Sequence, residues 1–168
     1  YFFIMKKLSI FFISLFALLQ IASAGAQKKA DNDTQEWRYE IEAVGTGAQG
    51  SYQIKVWSYS KKEMVATEQS KKNAVHGIIF KGFASNTSKR ITGKPALARN
   101  PALEQEHADF FKQFFADGGK YMKYVQLVNG TTEKIKYGKE YKIGVIVNVN
   151  VSDLRKDLEA AGIIKGLG

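Results

Sequence analysis

The chain has 168 residues, 25 Lys and Arg against 16 Asp and Glu for a formal charge of +9, and no cysteine. The missing cysteine excludes disulfides, thiolate metal sites, a cysteine nucleophile and lipid attachment through a thiol. With His76 and His107 as the two histidines, any serine triad or histidine metal site has to be built around one or both.

Met5 opens a stretch with the pattern of a secretory signal, and Tyr1 to Ile4 read as an upstream extension of the reading frame. Lys6 and Lys7 give a cationic start. Leu8 to Ile21 is an apolar run broken by Ser9, Ser14 and Gln20, and Ala22-Ser23-Ala24 is a small-x-small cleavage site. Ala24-Gly25-Ala26 offers a second site that places the new terminus at Gln27. The competing reading is a membrane anchor, but about 20 apolar residues are needed to cross a bilayer and this run is shorter. The expectation is therefore cleavage and export, leaving no stable membrane span. Removing 26 of 168 residues leaves 142, a one-domain length. Removing two lysines lowers the charge from +9 to +7.

Export without disulfides suits a bacterial periplasm. There a basic protein meets anionic envelope components or an envelope protein rather than nucleic acid. The cations are scattered over Lys61-Lys62, Lys71-Lys72, Lys89-Arg90 and Lys134 to Lys142, the pattern of a solvated basic surface.

After the signal (1–26), residues 27–36 are polar and without period, and read as a flexible lead-in to a single domain over 37–168. Trp37, Tyr39, Ile41 and Ala43 alternate with charged residues, predicting a strand with one buried face. Gly45 to Gly50 is a turn, and Tyr52, Ile54 and Val56 resume the alternation, so the two strands make a hairpin. Lys61 to Lys81 has the three- and four-residue spacing of an amphipathic helix, stopped at Gly82. Phe83 to Asn100 reads as a long irregular connection, mobile or functional. Pro101 can start a second helix, with Leu103, His107, Phe110, Phe111, Phe114 and Phe115 as its apolar stripe and Gly118-Gly119 as its end.

Tyr121 to Val128 predicts a strand, Asn129-Gly130 a turn, and the polar stretch Thr131 to Lys139 a longer connection. In Tyr141 to Val151, Ile143, Val145, Val147, Val149 and Val151 share one face, which pins the register. Ser152 can cap a last helix over Asp153 to Ile163. The order β-β-α-α-β-β-α predicts an α+β fold, an antiparallel sheet of about four strands with helices packed on one face.

The loudest motif, Gly45-x-Gly47-x-x-Gly50, has dinucleotide-binding spacing, but that fingerprint aims a helix amino terminus at a pyrophosphate, and Ser51 to Tyr59 is β-patterned. Turn geometry is the better reading, and no cofactor is expected. Glu104-x-x-His107 has a di-iron spacing but lacks the second copy such sites need, so no metal is assigned. If Ile54 and Val56 point inward, Trp57 and Tyr59 share the other face with Lys55. An exposed aromatic pair beside a cation is a candidate binding patch.

Two phrases, Val56-Trp57-Ser58-Tyr59-Ser60-Lys61 and Ala74-Val75-His76-Gly77-Ile78-Ile79-Phe80-Lys81-Gly82, carry a resemblance. The chain resembles a family of uncharacterised small exported proteins of Gram-negative anaerobes, which implies export and no known reaction. The Gly-x-Gly turn, with the helix spaced by Ala66 and Ala74, is also similar to the amino-terminal domain of flagellar assembly protein T and related small outer-membrane lipoproteins. That likeness spans about half the chain and contributes no site residue. The expected function is a periplasmic binding or assembly module without catalysis. The rival is an envelope hydrolase using His107 with Glu104 or Asp109 as acid and base.

Overall fold

The computed structural model describes residues 37–166, so the expected signal and lead-in lie outside the described residues. Strands β1 (Tyr39–Thr46), β2 (Ser51–Ser60), β3 (Val125–Tyr137) and β4 (Glu140–Asn150) form one antiparallel sheet in the order β1-β2-β4-β3. Helices α1 (Glu63–Phe80), α2 (Leu103–Glu106), α3 (Ala108–Phe114) and α4 (Val151–Ala160), with a 3-10 turn over Lys120–Tyr124, cover one face of it. This is the α+β class that the alternation of strand and helix periods predicts.

The two-residue period puts Ile54 and Val56 of β2 and Ile143, Val145, Val147 and Val149 of β4 on the covered side, none more than 4% exposed. Ala74, Val75, Ile78 and Ile79 of α1 meet them, and Phe111, Phe114, Phe115 and Tyr121 close the far side. Each fully buried branched or aromatic side chain contributes roughly 1.5–3 kcal/mol to folding. Gly77 lets β1 approach: a Cβ there would collide with the Ile41 side chain.

Helix α1 departs from the expected two-faced helix. From Gln69 onward it is buried nearly all round, including the polar Gln69, Ser70, Lys72, Asn73 and His76. The sheet lies beneath it, while the chain after Lys94 crosses its other side, where Leu97 and Ala98 donate backbone hydrogen bonds to the carbonyls of Ile78 and Ile79 (3.1 and 2.8 Å). Part of this polar set is hydrogen-bonded internally, with the Ser58 and Ser70 hydroxyls 2.9 Å apart and Asn73 Nδ2 donating to Ser58 Oγ at 2.9 Å, while Gln69 Oε1 and Asn73 Oδ1 are buried without a hydrogen-bond partner among the described residues.

Four other expectations are corrected. The second helix is two, because His107, at φ −115° and ψ 35°, breaks it between α2 and α3. Tyr121 to Tyr124 form a 3-10 turn whose tyrosines point into the core, so the strand starts at Val125. Phe83 to Asn100 is not irregular throughout, since paired backbone bonds Phe83–Lys94 and Asn86–Ile91 make a small hairpin, and Asn86 Nδ2 donates to Ala43 O at 3.2 Å on the sheet edge. Helix α4 is capped by Asn150, whose side chain accepts from Asp153 N at 3.1 Å, and it ends at Ala160 rather than Ile163.

The largest correction concerns β3. The polar stretch after Asn129-Gly130 is strand, and the chain reverses at Gly138, whose φ is 60°. Between the pairs Leu127↔Val147 and Thr132↔Val145, five steps of β3 are matched by two of β4. Three extra residues are thus absorbed, an odd number, and the alternation of faces inverts across the detour. Before it Val125 and Leu127 lie on the helix side; after it Glu133, Ile135 and Tyr137 lie on the open side.

Candidate functional site

The open side of the sheet is where the sequence places a binding patch. Cross-strand registers Glu40↔Trp57↔Gly144↔Glu133 and Tyr59↔Lys142↔Ile135 set its rows. The structure brings Trp57, Tyr59 and Lys55 together on this face, as the alternation of β2 requires. It differs in exposure, since Trp57 is only 6% exposed. The reason is Gly144 in the facing strand. A Cβ at Gly144 would stand 2.7 Å from the six-membered ring of Trp57, so only a bare backbone lets the indole lie flat. Trp57 Nε1 donates to Glu42 Oε1 at 2.8 Å, and Lys55 Nζ and Lys142 Nζ sit 5.3 and 5.1 Å from its centroid. Trp57 is the floor of the patch.

The wall is made of residues that the sequence reading left in a connection. Ile135 and Tyr137 are 51% and 57% exposed, and Tyr137 meets Tyr59 edge to face at 5.4 Å. The inverted alternation after the β3 detour puts them here. The signal that could have revealed them is the alternation Glu133, Ile135, Tyr137 itself, masked by Thr131, Thr132, Lys134 and Lys136.

A lattice of opposite charges spans the face. Tyr59 Oη and Lys142 Nζ both donate to Glu40 (2.8 and 2.7 Å), Arg38 pairs with Glu140 at 2.5 Å and lies over the Tyr59 ring, and Lys55 pairs with Glu133 across β4. The Lys142 hydrogen bond, with that of Tyr59, holds the Glu40 carboxyl below its ordinary range, and the same carboxylate raises Lys142. Three cations, Arg38, Lys55 and Lys142, face four anions, Glu40, Glu42, Glu133 and Glu140, so the face is not basic although the chain is.

The rival acid and base set is not assembled. Glu104 turns away from His107 toward His76, with Nε2 of His76 3.0 Å from its Oε1, and a Trp37 hydrogen bond also reaches Glu104. Asp109 is exposed in the first turn of α3. His107 lines a separate hollow beside Leu103 and Arg155.

The histidine that does have partners is His76, 3% exposed, which the sequence reading named without a role. Its Nδ1 lies 2.5 Å from Tyr39 Oη, and the Trp37 ring stacks on it at 3.5 Å. The consistent assignment has Tyr39 donating to Nδ1 and Nε2–H donating to the Glu104 carboxylate. Burial pushes the imidazole below its ordinary value, against the opposing pull of Glu104, and burial raises the Tyr39 phenol. The hydrogen bond from His76 lowers Glu104. The chain therefore holds a neutral histidine between a phenol and a carboxylate, tying β1, α1 and α2 together. Tyr39 and Glu104 lie 37 and 28 residues from His76, which leaves no local spacing for a sequence reading to find.

Beside Tyr39 an open cleft of about 620 Å³ is lined by Lys81, Ser85, Gly93 and Lys94 under the small hairpin. Gly82, with φ 66°, ends α1 there; a Cβ would strike the Lys94 carbonyl. Gly45, Gly47 and Gly50 form the β1–β2 turn, with Gly50 at φ 80° accepting from Ser152 N at 2.9 Å, and the strand β2 follows rather than a helix. Among the described residues no cluster of three or more potential metal ligands occurs, and no helix is long and apolar enough to cross a membrane. No protein-family model matches the chain, and no curated protein or solved structure matches it.

Proposed function

We propose that the chain is an exported binding or assembly module of the bacterial cell envelope, without catalysis of its own, acting through the open face of the sheet. The supporting observation is that Ile135 and Tyr137 stand half-exposed and contiguous with Tyr59 over a fixed Trp57 floor, on a face that the helices leave bare. Aromatic side chains on a rigid base, ringed by polar groups, have the composition of an interaction hot spot. The near balance of charges on this face favours an envelope protein over an anionic envelope polymer as the partner. The export half of the reading is supported by the signal pattern of residues 5–26.

Two measurements test it. Fractionation followed by the mass of the mature protein should place a chain beginning at Gly25 or Gln27 outside the cytoplasm; an intact chain inside the cell removes the envelope setting. Capture from envelope extracts should then lose a defined protein with the double variant Ile135→Ser/Tyr137→Ser and keep it with Met64→Ser, another exposed apolar position. Identical capture by all three sinks the open-face assignment.

A further inference from the structure

The break at His107 and the turn after α4 enclose a hollow that neither the sequence motifs nor the open face accounts for. It measures about 760 Å³, within the range of roughly 300–1,000 Å³ that small-molecule sites occupy. Its apolar lining is Leu97, Leu103, Ile163 and Ile164, and around these stand Arg99, Arg155, Lys165 and His107, with no Asp or Glu among the lining residues.

The hollow is preformed. Leu97 is fixed from behind by its backbone bond to Ile78 O, at 3.1 Å. Gly162, with φ 70°, reverses the chain after α4, and Ile163 N donates to Leu158 O at 2.9 Å, folding Ile163 and Ile164 back against the helix. Arg155 is steadied from one side by Glu159, at 3.4 Å. Ordering costs on binding are correspondingly small.

Apolar surface and an excess of cations select together, since Glu159 offsets only one of Arg99, Arg155 and Lys165. An inorganic anion would satisfy the guanidinium groups and leave the apolar floor, with its half-buried Leu103, unfilled; a neutral hydrocarbon would fill the floor and leave the cations unused. We propose that this hollow binds a single-chain amphiphile with an anionic head, a carboxylate or a phosphate monoester. Its apolar chain lies on Leu97, Leu103, Ile163 and Ile164, and its head is held by Arg99 and Arg155, whose planar donors match both head groups. Lys165 adds a third charge at the mouth. The free amphiphile and the head group of a membrane lipid share this chemistry, and the test separates them.

Calorimetric titration of the protein as purified from cells, with decanoate, decyl phosphate, decanol, inorganic phosphate and phosphatidylglycerol vesicles, decides it. The expected result is one-to-one binding of decanoate or decyl phosphate, with decanol and inorganic phosphate each at least about tenfold weaker. Arg99→Gln and Arg155→Gln should each weaken the acidic amphiphile about tenfold without moving the thermal midpoint, while Lys89→Gln, the same charge change outside the lining, should not. Equal binding of decanol and decanoate overturns the head-group assignment, as does equal weakening by Lys89→Gln. Binding to vesicles alone, or to none of the five, overturns the site.

Discussion

The two faces of the sheet solve opposite problems with the same strands. On the helix side, polar groups are the exception and sit in small hydrogen-bonded groups, Ser58 with Ser70 and Asn73, and His76 with Tyr39 and Glu104, inside a packed aliphatic and aromatic layer. On the open side, apolar groups are the exception: Trp57 is pressed onto Gly144, and Ile135 and Tyr137 stand in a mesh of ion pairs. The lesson is that burial alone does not mark the core. Trp57 is as covered as Val125, both 6% exposed, yet one lies flat on Gly144 beside two ion-paired lysines and the other sits inside the packed layer.

The strongest challenge to that contrast is a matched pair of truncations. Ile54→Ala, on the covered face at 0% exposure, should cost about 2–5 kcal/mol in denaturant unfolding, whereas Ile135→Ala should stay within about 0.5 kcal/mol. Equal losses would mean that the open face is packed against something. Next in size is Gly144→Val. Its branched side chain suits a strand, so any penalty reports the lifted indole; about 1–3 kcal/mol and easier acrylamide quenching of tryptophan emission are expected. An unchanged quenching constant would show that Trp57 does not depend on the glycine.

Acid should attack the covered face before the open one. His76 is held below the ordinary histidine value, so the unfolded chain binds the extra proton first. The associated stability is complete above about pH 6.5 and is lost as pH falls through the lower folded value. Glu104, also lowered, adds a second loss below about pH 4.3. Asp157, brought down to about 2 chiefly by the Tyr124 hydroxyl with Lys123 beside it, adds one between its usual range and pH 2. The thermal midpoint should therefore decline on acidification from pH 7, and His76→Asn should flatten the first part of that decline. A midpoint equally steep in the variant rules out the buried imidazole as the cause. The smallest effect belongs to the open-face charges: Lys55→Gln should change stability by no more than about 1 kcal/mol, and less in high salt.

Most of the fold was legible because a period of two residues survives in β1, β2 and β4 and one of three to four in α4. The β4 register followed from Ile143, Val145, Val147 and Val149 on one side, while Val151, read as a fifth strand residue, opens α4. What escaped had non-local causes. The later turns of helix α1 are buried nearly all round because a segment some twenty residues later crosses it, which no local period encodes. The residues of β3 read as a connection because its lysines and threonines conceal a strand and its detour inverts the phase. The patch residues Lys55, Trp57 and Tyr59 were legible from alternation, but their coverage depends on Gly144, in a strand that joins β2 only in space. The Tyr39–His76–Glu104 chain joins three separate elements, so spacing pointed Glu104 at His107 instead.

The detour in β3 turns chain length into a hereditary constraint of its own. Because the two-residue turn at Gly138 pairs Tyr137 with Glu140 and so holds Glu133, Ile135 and Tyr137 outward, losing or gaining one residue between Leu127 and Thr132 would instead swing Val125 and Leu127 off the helix side, while a change of two would keep both sets in place. In relatives that bury the residue at Val125, insertions and deletions at that spot should come in even numbers, whatever letters fill them.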